Sequence, residues 1–279
     1  MQRSIEQQIH ATYRSLRGGA AVMAFIFPWV LLYGGWQNGV PQRSAMSDYY
    51  WATHNAPCAY PIPDKDHPTI DPNCAKRKKG QEAVQQGSDP KQLPAGVMRT
   101  WFVGLLFGIG ITLVANQGHS LWENIFLTVA GFLAWGIAIF PEQWDGNKEH
   151  LTIHTICAMS FFGCIAIISG YFSKNTLSLV KPASLRKHYQ LAYTFMAALM
   201  LLSPITAAIL NFRDASQHSA YSHYVFWVEF SGIYAFAGYW CVKTREMSAP
   251  DAEKKVIEKQ PYTPPPLLPG TKPSQLSGT

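Results

Sequence analysis

Two histidines and one glutamate are the residues whose types and positions most directly suggest chemistry. His150 and His154 are four residues apart, so on a helix they share one face and could bind one metal ion. Glu229 lies in an apolar stretch, VFWVEFSGIYAF, where a charged group is costly and needs polar partners. We take His150, His154 and His223 as candidate zinc ligands. We expect Glu229 to pair with His154, Arg99 or Arg213. The alternative is that the histidines only make hydrogen bonds and that Glu229 is a protonated, purely structural group bonded to a neighbouring helix.

A serine and an aspartate stand side by side at Ser47 and Asp48. A serine beside a carboxylate could support hydrolysis, and a zinc-bound water would be the nucleophile if the histidines bind zinc. Capping of a turn is the other common use of these two residue types. Ser47, Asp48 and Glu229 are therefore the candidate catalytic residues.

Six apolar runs separate the charged parts of the chain. A helix needs about 20 mostly apolar residues to cross the hydrocarbon core of a bilayer. Runs of this size occupy residues 20–36, 100–116, 121–141, 151–172, 191–211 and 223–242. Buried helices of soluble proteins keep a polar stripe, whereas residues 191–210 carry no charge on any face. The sequence therefore predicts an all-α fold, a polytopic transmembrane helical bundle with six spans.

The basic residues predict how these spans are oriented. Residues 173–190 contain four Lys or Arg and no acid. The positive-inside rule places such a short loop in the cytoplasm. With six spans, both termini are then cytoplasmic and residues 37–99 form a long extracytoplasmic loop. The expected location is the cell membrane, as a multi-pass protein of a bacterial inner membrane.

The segments outside the spans have distinct characters. Residues 1–19 have an amphipathic pattern and are predicted to form a cytoplasmic leader before the first span. Residues 100–243 hold the five further spans. Residues 244–279 are rich in proline without apolar periodicity, which predicts a disordered cytoplasmic tail. An extracytoplasmic loop is an oxidising setting, so a disulfide between Cys58 and Cys74 is expected there, with two free thiols as the alternative.

The net charge of the chain does not point to nucleic acid. The formal charge is +6, but only 14% of the residues are charged and the basic ones mostly flank apolar runs. Membrane topology explains that distribution, and no nucleic-acid-binding module is recognisable. The expected partners are the lipid bilayer and a lipid or small amphiphile; the oligomeric state is open.

Several stretches together resemble a family of six-span bacterial inner-membrane proteins. They are the serines and paired tyrosines of residues 44–50, the apolar stretches 102–110 and 130–141, His154 with the aromatic pair after it, and Glu229 with the lysine that closes the last run. That family is similar in turn to the CREST superfamily of membrane hydrolases, which includes alkaline ceramidases. The resemblance implies a serine, an aspartate and histidines around zinc near a membrane surface.

The CREST pattern maps onto this chain only in part. Ser47, Asp48 and His154 stand for the serine, the acid and one histidine. In place of the late HxxxH motif the chain has His218 and His223, five residues apart, and it has no seventh apolar run.

Two classes of function follow from these features. One is a non-enzymatic membrane protein that binds a lipid or small amphiphile, or acts in assembly, through a polar site on the outer side. The other is a metal-dependent membrane hydrolase of a lipid-like substrate, with zinc as its cofactor. Transport is a third reading, but the sequence has no internal repeat to support it.

Overall fold

The computed structural model describes residues 5–40, 42–43, 45–50, 96–141, 152–177, 180, 183–217 and 224–247. For residues 5–10 and 211–217 the structure describes the backbone but not the side chains. His150, His223, Cys58 and Cys74 lie outside the described residues. The predicted metal site and disulfide therefore stay predictions.

The described residues form helices and no strand. They form α1 (Ile5–Gln37), a 3₁₀ helix (Ser47–Tyr50), α2 (Arg99–Ala115), α3 (Leu121–Ile139), α4 (Ile153–Ile167), α5 (Ser173–Leu177), α6 (Ala183–Gln217) and α7 (Tyr224–Met247). A π-helical turn, Ile168–Phe172, joins α4 directly to α5. The prediction of an all-α fold is confirmed for this part of the chain.

Five stretches of helix are long and apolar enough to cross a membrane. They are Ala11–Gln37, Leu121–Ile139, Ile153–Leu177, Ala183–Leu210 and Tyr224–Met247. The apolar helix α2 is shorter, at 17 residues. By length and composition, the chain thus has the character of a multi-pass membrane protein.

The six longer helices pack as a closed ring in chain order. Each of α1, α2, α3, α4 and α6 contacts the next in this series, and α7 closes the ring by packing on both α6 and α1. Apolar side chains without solvent exposure fill the centre, among them Leu31, Leu113, Ile165 and Met200. Helices α1 and α7 run antiparallel, since Phe25 contacts Tyr234 while Trp29 contacts Phe230.

Local sequence signals fix several helix ends. Helix α1 ends at Gln37, and Gly39 just after it has a φ of 68°, which suits glycine. Its N–H donates to the Trp36 carbonyl at 3.0 Å, and Val40 N–H donates to Gly35 at 2.8 Å, as in a Schellman motif. Ser120 is the N-cap of helix α3, and its hydroxyl accepts a hydrogen bond from Glu123 N–H at 3.2 Å.

The ring has two ends, which we name after residues of α7. Glu229 lies near the start of this helix and Lys243 near its finish, about 21 Å apart at the rise of an α-helix. The Glu229 end also contains the 3₁₀ helix and the last turn of α1. The Lys243 end contains Arg17, the α2–α3 connection and α5.

Candidate functional site

The Glu229 end brings together three of the residues that the sequence singles out. Glu229 Oε2 accepts a hydrogen bond from Met46 N–H at 2.7 Å, across 183 residues of sequence. Asp48 Oδ2 accepts one from Ala45 N–H at 3.0 Å, and Ser47 beside it is buried. Both carboxylates therefore bind backbone amides at the start of the 3₁₀ helix, which is the capping use of such groups.

Aromatic packing holds the same segment against the bundle. Tyr49 packs on Phe226 with 6.1 Å between ring centroids. Burial raises the pKa of the Tyr49 phenol, so the ring keeps its proton. The guanidinium of Arg99, a partner that the sequence suggests for Glu229, lies 4.7 Å from the centroid of the Tyr50 ring. This end is thus an ordered cap on α1, α2 and α7.

His154 is buried at the start of α4 and faces the end of α3. Its Nδ1 lies 2.9 Å from the Phe140 carbonyl oxygen and 3.2 Å from that of Ile137. Because both partners are acceptors, Nδ1 carries a proton. Among the residues that the structure describes, no three His, Cys, Asp or Glu side chains lie together as a metal site would require.

The Lys243 end holds a larger set of ionisable groups that the sequence analysis missed. We call it the charged cluster, and its charged members are almost fully buried: Arg17 is 4% exposed, Glu123 3%, Lys243 3% and Glu246 2%. Two buried tyrosines and a partly buried histidine complete it. The full set is Arg17, His119, Glu123, Tyr193, Tyr239, Lys243 and Glu246.

Glu246 is the most heavily bonded member of the charged cluster. Its Oε1 accepts a hydrogen bond from Thr176 Oγ1 at 2.7 Å, and Tyr193 donates its phenolic proton to Oε2. Lys243 Nζ lies 3.4 Å from Oε2 and also donates to Thr176 Oγ1 at 2.6 Å. One carboxylate thereby ties together α5, α6 and α7.

Glu123 is bonded quite differently. Its backbone N–H donates to the N-cap Ser120, while its Oε2 accepts from His119 N–H at 2.8 Å. Ser and Glu three residues apart form a capping box in sequence. Gly118 allows this fold-back, because a Cβ at that position would lie 2.4 Å from Cγ of Glu123. The carboxylate is held over the α2–α3 connection by its own helix start.

Two cations act on this part of the charged cluster. Lys243 and Arg17 both interact electrostatically with Glu123 and with His119. Burial, followed by these two positive charges, lowers the pKa of His119 to about 3. The imidazole is therefore neutral at physiological pH and contributes hydrogen-bonding atoms without charge.

The π-helical turn directs polar side chains of α4 and α5 toward the charged cluster. The Ser169 hydroxyl donates to the Tyr193 carbonyl oxygen at 3.1 Å. Thr176, in α5, reaches Glu246. A π turn inside a helix shifts the faces of the residues that follow it and is frequent at functional sites.

The sequence contains signals for the charged cluster, but they have simpler explanations there. In the sequence, Arg17 and Lys243 are explained as basic residues that flank apolar runs. Glu123 reads as the one acid at the start of its run. The Ser120–Glu123 spacing and the Lys243–Glu246 spacing of three residues are visible in sequence, but only the ring of helices shows that they meet.

The charged cluster can bind polar groups in a dry setting. It offers two cations, two carboxyl groups, a neutral imidazole and two phenols within an apolar bundle. The carboxyls and the imidazole are types that bind metal, but Lys243 and Arg17 oppose a cation there. Comparison with protein-family models, with curated proteins and with solved structures finds no match.

Proposed function

We propose that this chain is a six-span membrane protein that binds the polar head of a lipid or small amphiphile in the charged cluster. The observation that carries the proposal is the burial of Arg17, Glu123, Lys243 and Glu246 together at one end of an apolar helical ring. Ionisable residues inside membrane proteins are expensive and usually mark a binding or ion site.

The exposed surface supports six spans, with α2 as the sixth. Its 17 residues rise about 26 Å, which is close to the thickness of the hydrocarbon core. Most exposed tryptophan and tyrosine side chains lie toward the two ends of the ring, as in the aromatic belts of membrane proteins. They are Tyr33, Trp36, Trp101, Tyr224 and Trp227 toward the Glu229 end and Trp122 and Tyr171 toward the Lys243 end.

The basic residues support a cytoplasmic Lys243 end. The connection between α5 and the first turns of α6 carries an excess of Lys and Arg over acids. In this orientation the charged cluster lies at the inner leaflet. A ligand head there would reach Arg17 and Glu123, and its apolar tail would lie along the apolar helices.

Retention of lipids during purification tests this proposal. The wild-type protein, extracted in a mild detergent, should carry a bound lipid that mass spectrometry detects. We expect Glu123→Gln to lose most of it and Arg245→Gln, a change at an exposed residue of the same end, to keep it. Equal lipid content in the two variants would contradict a site in the charged cluster, provided that both show wild-type helix content and elute as wild type.

One observation favours the hydrolase as a second candidate. Histidines that bind metals usually donate their other ring N–H to a carbonyl or carboxylate, and His154 Nδ1 does so to Phe140. We propose that zinc, if bound, is held through His154 Nε2 with His150 and His223, and that Ser47, Asp48 and Glu229 serve the reaction. Zinc measured in the purified protein should fall in His154→Ala and stay in His188→Ala. Zinc-free wild-type protein after growth with zinc would remove this candidate.

A further inference from the structure

We infer that the head bound by the charged cluster is zwitterionic, with an ammonium group near Glu123 and an anionic group near Arg17. This inference rests on the proposed binding function and names the class of its ligand. The difference between the two carboxyl groups of the cluster carries it.

Glu246 belongs to a closed part of the charged cluster. Both of its oxygens accept hydrogen bonds, from Thr176 and from Tyr193, and Lys243 lies within ion-pair distance. A ligand that bound this carboxylate would have to displace bonds that join α5, α6 and α7. Glu246 and Lys243 therefore position the site rather than contact the ligand.

Glu123 has capacity to spare. Its carboxylate accepts a hydrogen bond from the backbone N–H of His119. An ionised carboxyl group has about four acceptor positions. Gly118 and the helix start hold it in place, so it is ordered before any ligand binds. It can accept further hydrogen bonds, and an ammonium group supplies up to three.

The surrounding charges select against heads of a single sign. Arg17 and Lys243 both act on Glu123, so a ligand with only a positive charge would meet two cations. A ligand with only a negative charge would meet Glu123 itself, with Glu246 close enough to act on the same carboxyl. A head that carries both signs matches an arrangement of two cations and two carboxyl groups.

Lipid competition in detergent tests this selectivity in the full-length protein. Equal amounts of phosphatidylethanolamine and phosphatidylglycerol with the same acyl chains are offered, and bound lipid is counted by native mass spectrometry. We expect the wild type to retain about ten times more of the ethanolamine lipid than of the glycerol lipid. This ratio corresponds to an electrostatic preference of about 1.4 kcal/mol. In Glu123→Gln the remaining positive charge should reverse that order, while Arg245→Gln, a change at an exposed residue of the same end, should keep it.

The outcomes separate the inference from the function on which it rests. A wild type that retains phosphatidylglycerol as well or better overturns the zwitterionic head but leaves lipid binding intact. A wild type that retains neither lipid, and that does not bind the water-soluble glycerophosphoethanolamine either, overturns the proposed function as well. Binding of that soluble compound, seen as a thermal shift that Glu123→Gln abolishes, would support the zwitterionic site with a soluble ligand.

Discussion

The two ends of the helical ring use the same residue type in opposite ways. At the Glu229 end, Glu229 and Asp48 accept hydrogen bonds from backbone amides of one short segment. At the Lys243 end, Glu246 is bound by side chains from α5, α6 and α7. The bonds to Glu229 and Asp48 order a loop, whereas the bonds to Glu246 join three helices.

This difference teaches that a buried carboxylate is not by itself a functional site. A carboxylate that accepts hydrogen bonds from backbone amides offsets the desolvation penalty of both groups. A carboxylate that faces a buried lysine, an arginine and a second carboxylate needs all of them in place, because each charge depends on the others. That is why we propose the Lys243 end as the binding site.

The largest effect should come from Lys243→Met. Removing this cation leaves Glu246 and Glu123 buried without their shared partner, which should cost about 3–5 kcal/mol of unfolding free energy. The exposed Arg245 on the same helix provides a control, and Arg245→Met should stay within about 0.5 kcal/mol of wild type. Unfolding in detergent, followed by tryptophan fluorescence, measures both; equal stabilities would show that the ion pair does not hold this end together.

A smaller effect is expected from Gly118→Ala. The new Cβ would lie 2.4 Å from Cγ of Glu123, and the overpacking should cost about 1–3 kcal/mol. Gly104→Ala is the matched control, because a Cβ at Gly104 meets nothing within 4 Å and alanine favours the helix. The same unfolding assay should find Gly104→Ala at least as stable as wild type. If both variants behave alike, the Glu123 side chain is not packed on Gly118.

The losses of stability in Glu229→Gln and Glu246→Gln compare the two ends directly. The glutamine at 229 keeps an oxygen for Met46 N–H, so the loss should be about 1 kcal/mol. The glutamine at 246 leaves Lys243 without its ion-pair partner at 3.4 Å and should cost more. Thermal unfolding of both proteins provides the measurement, and the two ends would be alike if the order were reversed.

The smallest effect should be a change in pH dependence caused by His119. Its pKa is about 3 in the folded protein against an ordinary 6.5, so between these values the unfolded chain binds a proton that the folded chain does not. Stability must then fall as the pH is lowered through this window. Wild type should therefore lose more thermal stability than His119→Gln between pH 7 and about pH 5. Parallel pH profiles would mean that His119 is not held neutral.

Much of the helical arrangement could be predicted from the sequence. The apolar runs 100–116 and 223–242 correspond closely to α2 and α7. The first and fifth runs also fall on helices, but α1 begins at Ile5 and α6 at Ala183, before the apolar residues start. Apolar length marks where a helix can cross a bilayer, and polar residues at its ends can still continue the same helix.

The candidate site could be predicted only in part. Glu229 does meet the Ser47–Asp48 segment, but as a cap for Met46. His154 is expected from the sequence to pair with Glu229. In the structure its Nδ1 contacts the carbonyl oxygens of Ile137 and Phe140 at the end of α3 instead. The roles of Ser47, Asp48 and Glu229 in catalysis stay predictions.

The sequence by itself determined the elements with local causes. Apolar runs of sufficient length make helices for a bilayer, Gly39 ends α1, and Ser120 with Glu123 starts α3. Only the tertiary structure decided which charges meet, because Arg17, Glu123 and Lys243 lie far apart along the chain. Their meeting depends on how the ring closes between α7 and α1, and ring closure is a property of packing between helices that no single segment encodes.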